Sequence, residues 1–355
     1  MDFFKDHLKD SESLFLNPIA LDYDYQPKLV PHRENQQFFI ASCIKPLFQS
    51  RNGKNVFVYG SPGIGKTVSV RHVLKELEEE TSEISTLYIN CWKKNTAYKL
   101  LMEICFLLDY KFIHDKTTDE LLEIVTKILN KKSSVICLDE CDKLSDIDLI
   151  YNLLESLYRK SLIIMMNDRD WLNKLDERLK SRLIPEILEF KPYTYEQTLD
   201  ILKQRISYAF IENTFNKEAI ELLAKKTYEL KDLRTGLYLL KESGDFAELR
   251  SSKKIEIKDV ENAIKKLDNF KIKNSKDLDD NENEILDLVK KNSGKQATEL
   301  FKIYNKEISY KTFRRRLEDL KKAKLISIEE KSKGAKGKST FVYFGTLKKL
   351  DEFSS

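Results

Sequence analysis

The sequence predicts an α/β protein with a doubly wound parallel sheet, followed by an all-helical lid domain and a C-terminal winged helix. Three observations support this prediction. Short, almost wholly apolar runs alternate with amphipathic segments over residues 56–167, amphipathic helical patterns alone follow residue 192, and helices with a basic hairpin end the chain. Continuous apolar runs are typical of strands that helices cover on both faces.

The composition fits a helix-rich globular protein with ample material for a core. The chain has 355 residues, of which 41% are hydrophobic and 34% charged, with only 10 Gly and 7 Pro. That length suggests roughly two or three domains. The N-terminal residues lack the pattern of a signal peptide, and the apolar runs are too short to span a membrane, so we expect a cytosolic or nuclear protein.

The cysteines show no spacing suited to zinc and no C-x-x-C pair. We expect them to be reduced and mostly buried, as small apolar residues. They are Cys43, Cys91, Cys105, Cys137 and Cys141.

The charge is distributed unevenly along the chain. The net charge is +4, but residues 302–349 carry fifteen Lys or Arg against five Asp or Glu, a local excess of +10 that leaves −6 for the remainder. A basic C-terminal module on an acidic body indicates a polyanionic partner that binds this module.

The elements of the first domain, residues 1–190, follow in a regular order. An arm at 1–54 leads into a helix at 33–49, which has helical periodicity. Strands are predicted at 56–59, 85–90, 134–138 and 161–167, and helices at 68–80, 96–108, 118–130 and 146–158. Ligands are expected to gather at the carboxyl ends of the strands.

Two further domains are predicted, at 191–272 and 273–355. The first contains amphipathic helices at 194–210, 217–228, 232–249 and 258–267, and a polar, acidic linker follows at 274–284. The second contains helices at 284–291, 296–305 and 309–322, then strands at 325–328 and 340–344 joined by a loop rich in Lys and Gly.

The segment after the first predicted strand fits the pattern G-x-x-x-x-G-K-[ST]. An apolar run precedes it and a helix-forming run follows it, which is the setting of a phosphate-binding loop. In such a loop the backbone N–H groups surround phosphate oxygens and the lysine reaches the terminal phosphates. We predict nucleotide binding by Gly60, Ser61, Pro62, Gly63, Ile64, Gly65, Lys66, Thr67 and Val68, with the Thr67 hydroxyl also at a Mg²⁺ site.

The third predicted strand ends in Asp139-Glu140, the expected second half of such a site. Asp139 is predicted to hold Mg²⁺ through water or the Thr67 hydroxyl, and Glu140 to polarise the water that attacks the γ-phosphate. Asn167, at the tip of the next strand, is placed to hydrogen-bond that water or the γ-phosphate. The alternative is an Asn that merely ends the strand.

Arginines in two later segments are further candidates. Arg178 and Arg182 lie where an arginine can complete a neighbouring subunit's site by neutralising charge in the transition state. A solvated basic helix end is the alternative for these two. Arg234, which begins a helix of the lid domain, can reach the γ-phosphate from that side.

The basic residues of the predicted winged helix lie away from its apolar seam, formed by Phe313, Leu317 and Leu320. This pattern favours binding of duplex DNA over a solvated charge run or a protein-docking module, which are the alternatives. We predict that Tyr310, Lys311, Arg314 and Arg315 enter the major groove and that Lys333, Lys336 and Lys338 on the wing meet phosphate or the minor groove.

These residues, in this order, resemble the AAA+ ATPases, and more narrowly the archaeal origin-recognition and helicase-loader initiators, relatives of the eukaryotic origin recognition complex. Segments 25–34, 89–91, 139–144, 167–168 and 257–263 are also similar to that family. The resemblance implies that Lys66 and Thr67 form Walker A, that Asp139 and Glu140 form Walker B, and that Asn167 is sensor 1, Arg182 the arginine finger and Arg234 sensor 2. It also implies that the segment with Tyr25, His32 and Arg33 contacts adenine.

The resemblance implies an ATP-dependent replication initiator with ATP or ADP and Mg²⁺ as cofactors. Its expected partners are double-stranded origin DNA, the replicative MCM helicase and paralogous initiator subunits. ATP is expected to act mainly as a conformational switch, with slow hydrolysis that needs a partner subunit. The resemblance places the protein in the cytoplasm, on the nucleoid, of an archaeon or in the nucleus of a eukaryote.

Two other functions share these motifs. One is a DNA-binding transcription or plasmid-copy regulator that uses ATP only to change shape. The other is a DNA-transposition or clamp-loader-type ATPase. Glu140 and Arg182 favour retained hydrolysis, and hence the initiator.

Overall fold

The structure, a computed structural model, describes residues 13–274, 280–304, 308–322, 325–332 and 338–344. The chain divides into two units, the first ending at Ala263 and the second beginning at Ile264. The first contains a parallel sheet and most of the helices, and the second contains a smaller antiparallel sheet.

The sheet of the first unit has five strands, all parallel, in the order β2-β3-β4-β1-β5. The strands are β1 (Val56–Tyr59), β2 (Ile84–Asn90), β3 (Ser133–Asp139), β4 (Lys160–Met166) and β5 (Glu186–Glu189). This order places β1 inside the sheet, between β4 and β5. The prediction of a doubly wound parallel sheet is therefore confirmed.

Five of the helices that alternate with these strands lie close to their predicted bounds. They are α1 (Glu34–Ile44), α2 (Lys66–Glu80), α3 (Ala97–Leu107), α4 (Thr118–Leu129) and α5 (Asp148–Ser156). Two short helices that the sequence analysis does not predict follow β4, α6 (Trp171–Lys174) and α7 (Glu177–Leu183). The helix predicted at 33–49 changes to a 3₁₀-helix, Lys45–Gln49, after Ile44. Pro46 explains the change, because its ring clashes with the preceding turn of an α-helix and it has no N–H to donate.

The two faces of the sheet carry separate apolar cores. On β3, Val135 and Cys137 pack with residues of α1 and α2, whereas Ile136 and Leu138 pack with residues of α3, α4 and α5. Side chains alternate between the faces of a strand, so a fully buried β3 supplies both cores. Asp139 continues the alternation on the face of α1 and α2.

Strand β5 is absent from the sequence prediction, which has no strand between residues 167 and 192. Its backbone extends the sheet beyond β1, with hydrogen bonds from Glu186 N to Asn55 O at 2.8 Å and from Phe190 N to Tyr59 O at 2.8 Å. The sequence Glu-Ile-Leu-Glu is short, and its side chains alternate between intermediate and exposed. So short a strand lacks the continuous apolar run that marks β1, β3 and β4.

The helices that follow are α8 (Tyr195–Ala209), α9 (Lys217–Leu230), α10 (Leu233–Leu249) and α11 (Ile257–Asn274). A capping box begins α8, in which Thr194 Oγ1 accepts from Gln197 N and the Gln197 side chain accepts from Thr194 N. Helix α11 continues beyond its predicted end at residue 267. The predicted all-helical segment after the sheet is confirmed.

The second unit contains helices α12 (Asp280–Lys291), α13 (Ala297–Tyr304) and α14 (Tyr310–Lys322). Its antiparallel sheet has the order β6-β8-β7, with β6 (Lys295–Gln296), β7 (Ile326–Ser332) and β8 (Lys338–Phe344). The predicted seam of Phe313, Leu317 and Leu320 is buried in its core. The acidic segment predicted as a linker at 274–284 includes the first turn of α12.

All five cysteines are free and buried, as predicted. Within the described ranges, no helix has an apolar stretch long enough to cross a membrane.

Candidate nucleotide-binding site

The glycine-rich loop connects the end of β1 to the start of α2. Gly60, Gly63 and Gly65 have φ angles of 149°, 75° and 88°. Side-chain-bearing residues adopt such angles with strain, so the loop needs glycine at these positions. Helix α2 begins at Lys66, and its first N–H groups, which lack helical partners, lie next to the loop.

The start of lid helix α10 contacts this loop directly. Leu233 N donates a hydrogen bond to Gly63 O at 3.0 Å. A Cβ atom on Gly63 would lie 1.8 Å from Asp232 Oδ1, which is closer than any real contact. Asp232 also caps α10, since Oδ1 accepts from Arg234 N at 2.9 Å.

Lys66 lies inside the curve of the loop and is only 7% exposed. Its Nζ donates to Gly60 O at 2.7 Å, Ser61 O at 2.9 Å and Asn167 Oδ1 at 2.9 Å. Burial lowers the pKa of Lys66 to about 8, and the positive charge of Arg234 acts in the same direction, while Asp139 and Glu140 oppose the shift. Lys66 thus contacts both the loop and Asn167 at the end of β4. It also lies near the charged side chains at the end of β3 and the start of α10.

Asp139, at the end of β3, is 4% exposed and accepts three hydrogen bonds. Thr67 Oγ1 donates to its Oδ2 at 2.8 Å and Tyr88 Oη donates to the same atom at 2.6 Å, while Glu140 N donates to Oδ1 at 2.9 Å. Burial raises the pKa of Tyr88, and the adjacent Asp139 charge raises it further. A carboxylate beside a hydroxyl supplies the hard oxygen atoms that Mg²⁺ prefers, so these residues fit that ion.

Glu140 follows Asp139 with a left-handed backbone, φ 54° and ψ 44°. Asn90 Nδ2 donates to Glu140 Oε2 at 3.4 Å. The other end of the same amide, Oδ1, accepts from Trp92 N at 3.0 Å and Lys93 N at 3.3 Å. Asn90 therefore holds the Glu140 carboxylate while it is itself fixed by the loop after β2.

The predicted adenine segment divides between the loop and α8. Arg33 is 4% exposed, and its Nη2 donates to Ile64 O at 2.9 Å and Lys191 O at 2.8 Å. His32 Nε2 lies 2.8 Å from Asp200 Oδ2 on α8, and the Tyr25 ring lies 5.1 Å from the Arg205 guanidinium on the same helix. Arg33 thus contacts the glycine loop, whereas these contacts of His32 and Tyr25 are with α8.

The two arginines to which the resemblance assigns roles, Arg182 and Arg234, occupy different places. Arg234 lies at the start of α10, with its Nε 3.6 Å from Asp232 Oδ1, and is near enough to Lys66 to affect its pKa. Arg182 lies on α7 with more than half of its side chain exposed, and its Nε pairs with Glu155 Oε1 at 2.7 Å. The structure brings Arg234 to the loop, while the ion pair of Arg182 is with α5.

The other loop residues are Ser61 and Pro62, which are exposed, and Val68, which is half-buried in the first turn of α2. The sequence prediction does not include two residues that contact the predicted carboxylates, Tyr88 with Asp139 and Asn90 with Glu140. Their spacing is a signal in retrospect, because residues two apart on β2 share one face of the sheet.

In the second unit, Lys311, Arg314 and Arg315 are exposed on α14, as predicted. Tyr310, which is predicted to enter the major groove, has a half-buried ring that packs against Phe301, with the ring centroids 5.2 Å apart. Tyr310 precedes Phe313 by three residues, which places it towards the apolar face of the helix. Lys333 and Lys336 lie outside the described residues, and Lys338 is the first residue of β8.

Comparison with known proteins agrees with this geometry. A family model described as AAA domain matches residues 49–169, and one described as Cdc6 AAA+ ATPase-type lid domain matches residues 199–265. The chain is 30% identical over 321 residues to ORC1-type DNA replication protein 1 of Archaeoglobus fulgidus, an alignment that covers 85% of this chain and 78% of that protein. The chain belongs to the ORC1-type DNA replication proteins.

Other members of the ORC1-type family match over nearly the whole chain. ORC1-type DNA replication protein 2 of Methanothermobacter thermautotrophicus is 27% identical over 94% of this chain and 93% of its own length. The Aeropyrum pernix Orc1 protein, solved in complex with DNA, has the same fold, with a TM-score of 0.75, 24% identity and coverage of 95% of each chain. The AAA+ fold with a Cdc6-type lid is therefore established for the chain, and it belongs to an ATPase family.

Replacement of Lys66 by Ala is expected to abolish nucleotide binding, because it removes the cation at the centre of the loop. Isothermal titration calorimetry with ATP measures this loss directly. Lys75→Ala is the matched control, since Lys75 is on the same helix but exposed and pairs at 3.8 Å with Glu79. ATP affinity in Lys66→Ala equal to that of the control would reject the assignment of the site.

Proposed function

We propose that the chain is an ATP-dependent DNA replication initiator that binds origin duplex through its C-terminal module and helps to recruit or load the replicative helicase. The observation that carries the proposal is the joining of the two halves of an ATP site, through Lys66 with Asn167 and Thr67 with Asp139. Membership of the ORC1-type DNA replication proteins supports replication as the process that this site controls.

The site residues divide the work of ATP hydrolysis. Mg²⁺ bound with ATP would neutralise charge on the β- and γ-phosphates. Thr67 and Asp139 would hold that ion, Lys66 would reach the terminal phosphates, and Asn167 would orient the attacking water. Glu140 polarises this water, with its carboxylate held by Asn90. Tyr25, His32 and Arg33 would contact the adenine end of the nucleotide.

The lid makes the site a switch. Arg234 senses the γ-phosphate from the start of α10, and the contact of Leu233 with Gly63 carries the change into the lid helices. Arg182 is exposed on α7, where it is accessible to the site of a partner subunit. The partner subunit is a paralogous initiator or a second copy of this chain. We propose that hydrolysis is slow until the two subunits bind and the arginine of one completes the ATP site of the other.

The DNA-binding part is the segment 273–355, which we propose to be a winged helix, after a nucleotide-binding part at 1–190 and a lid at 191–272. Lys311, Arg314 and Arg315 are exposed on α14 beside a buried apolar seam, so this helix can enter a major groove without losing its core contacts. Lys333, Lys336 and Lys338 supply the basic wing in this proposal. The partners are duplex origin DNA and the MCM helicase.

Replacement of Glu140 by Gln is expected to retain ATP binding and slow hydrolysis by about two orders of magnitude or more, since the amide cannot accept a proton from water. Single-turnover hydrolysis and ATP retention on a filter measure the two effects. Glu103→Gln, a change on α3 where the carboxylate pairs with Lys94 at 2.8 Å, is the control. Turnover in Glu140→Gln at the wild-type rate would reject its role.

Replacement of both Arg314 and Arg315 by Ala is expected to weaken duplex binding and to reduce the slope of log K against log salt by about 2, because two phosphate-facing cations are lost. Lys75→Ala with Lys127→Ala removes equal charge from exposed positions in the first unit and serves as the control. An unchanged slope in the arginine variant would argue against α14 as the DNA-binding helix.

Chromosomal binding is expected to concentrate at replication origins and to require the exposed arginines of α14. Chromatin immunoprecipitation in the source cells, with wild type and the Arg314→Ala, Arg315→Ala variant, measures it. Binding at many promoters and not at origins would instead identify an ATP-switched transcription or plasmid-copy regulator.

A further inference from the structure

Tyr88 is a tyrosine on β2 whose hydroxyl contacts the carboxylate expected at the magnesium site. Its Oη donates to Asp139 Oδ2 at 2.6 Å, the shortest of the three hydrogen bonds that this carboxylate accepts. We propose that Tyr88 is a positioning residue for magnesium, which fixes Asp139 so that Thr67 and Asp139 present their oxygens together. This inference rests on the proposed ATP site.

The three donors are divided between the two oxygens of the Asp139 carboxylate. Glu140 N holds Oδ1, whereas the Thr67 and Tyr88 hydroxyls share Oδ2. Thr67 is itself the residue expected to bind the ion, and its hydroxyl can rotate. With Tyr88 absent, Oδ2 would therefore depend on a donor that is not independently fixed, and the buried carboxylate could turn about its own axis.

Tyr88 is held independently of the magnesium site. Its ring packs against the apolar core between the sheet and α1 and α2, and the Arg71 guanidinium of α2 lies 5.1 Å from the ring centroid. The parallel register pairs Tyr88 with Cys137 and Asn90 with Asp139. Tyr88 therefore approaches Asp139 from the neighbouring strand and from the same face of the sheet, at a position level with Cys137. Its position is set by β2 and not by the glycine loop.

The same strand positions both carboxylates in this arrangement. Asn90 at the end of β2 holds Glu140, and Tyr88 two residues earlier holds Asp139. Ligand carboxylates in metal sites are commonly oriented by hydrogen bonds of this kind, whose loss lowers metal affinity by about 10-fold to 100-fold. Tyr88 would therefore position the carboxylate expected to bind Mg²⁺, whereas Asn90 positions the carboxylate expected to polarise water.

The test measures binding of a fluorescent ATP analogue to the full chain, first in EDTA and then across a magnesium titration. Tyr88→Phe keeps the ring and removes the hydroxyl. It is expected to bind the analogue in EDTA as the wild type does. In the titration, it is expected to need roughly tenfold more Mg²⁺ for the half-maximal change in binding of the analogue. In an Asp139→Asn background, Tyr88→Phe is expected to cause no further change, because it acts through that carboxylate.

The matched control is Tyr343→Phe, which removes a hydrogen bond from a tyrosine to a carboxylate, Glu329, in the other unit at 3.3 Å. It is expected to follow the wild type. Melting curves without ligand check folding. If Tyr88→Phe does not fold, Arg71→Ala, which frees one side of the ring, is expected to raise the magnesium requirement by a smaller factor.

Two results would overturn the inference and leave the ATP site intact. One is a Tyr88→Phe variant with the magnesium dependence of the wild type, and the other is an equal loss of affinity with and without Mg²⁺, which indicates a structural role. A wild-type chain that binds the analogue under neither condition overturns the ATP site itself, and this inference with it.

Discussion

The glycine loop is packed so closely that three other segments depend on its lack of side chains. A Cβ would lie 2.4 Å from Phe190 O at Gly60, 1.8 Å from Asp232 Oδ1 at Gly63 and 2.7 Å from Tyr193 Oη at Gly65. Glycine is needed here for its left-handed angles and also for this contact with the end of β5, the lead into α8 and the cap of α10. The loop is therefore the place where the end of β5, the segment before α8 and the start of α10 pack together.

The backbone oxygens of the loop complete this junction. Gly63 O accepts from Leu233 N of the lid, and Ile64 O accepts from Arg33 of the N-terminal arm. Two adjacent carbonyls thus bind the two segments that flank the nucleotide site in the proposed function. A shift of the loop by a fraction of an ångström would strain both hydrogen bonds, since they weaken steeply with geometry. In the proposed function, these hydrogen bonds would transmit a shift of the loop on phosphate binding to the lid helices.

The sequence predicted β1 to β4 to within one residue at each end, because β1, β3 and β4 contain continuous apolar runs and β2 contains a shorter one at 87–89. The motif predicted the glycine loop, and the ends of β3 and β4 indicated Asp139, Glu140 and Asn167 as candidates, which the structure places near Lys66. Strand β5 was missed because a four-residue edge strand carries no such run. Tyr88 and Asn90 were missed because their contacts depend on the pairing and register of β2 with β3, which the sequence does not display.

Lys66 connects the two halves of the site, because its Nζ donates hydrogen bonds both to the loop and to Asn167. The pKa of Lys66, lowered to about 8, means that burial makes its charged form costly even with Asp139 and Glu140 nearby. Its three oxygen partners, including Asn167 Oδ1, offset part of that cost without carrying a negative charge. A phosphate oxygen does carry one, so in the proposed ATP site it would replace these partners favourably and leave Asn167 to face the γ-phosphate. In the proposed function, Lys66 would thereby link binding of the nucleotide to placement of the residue that orients the attacking water.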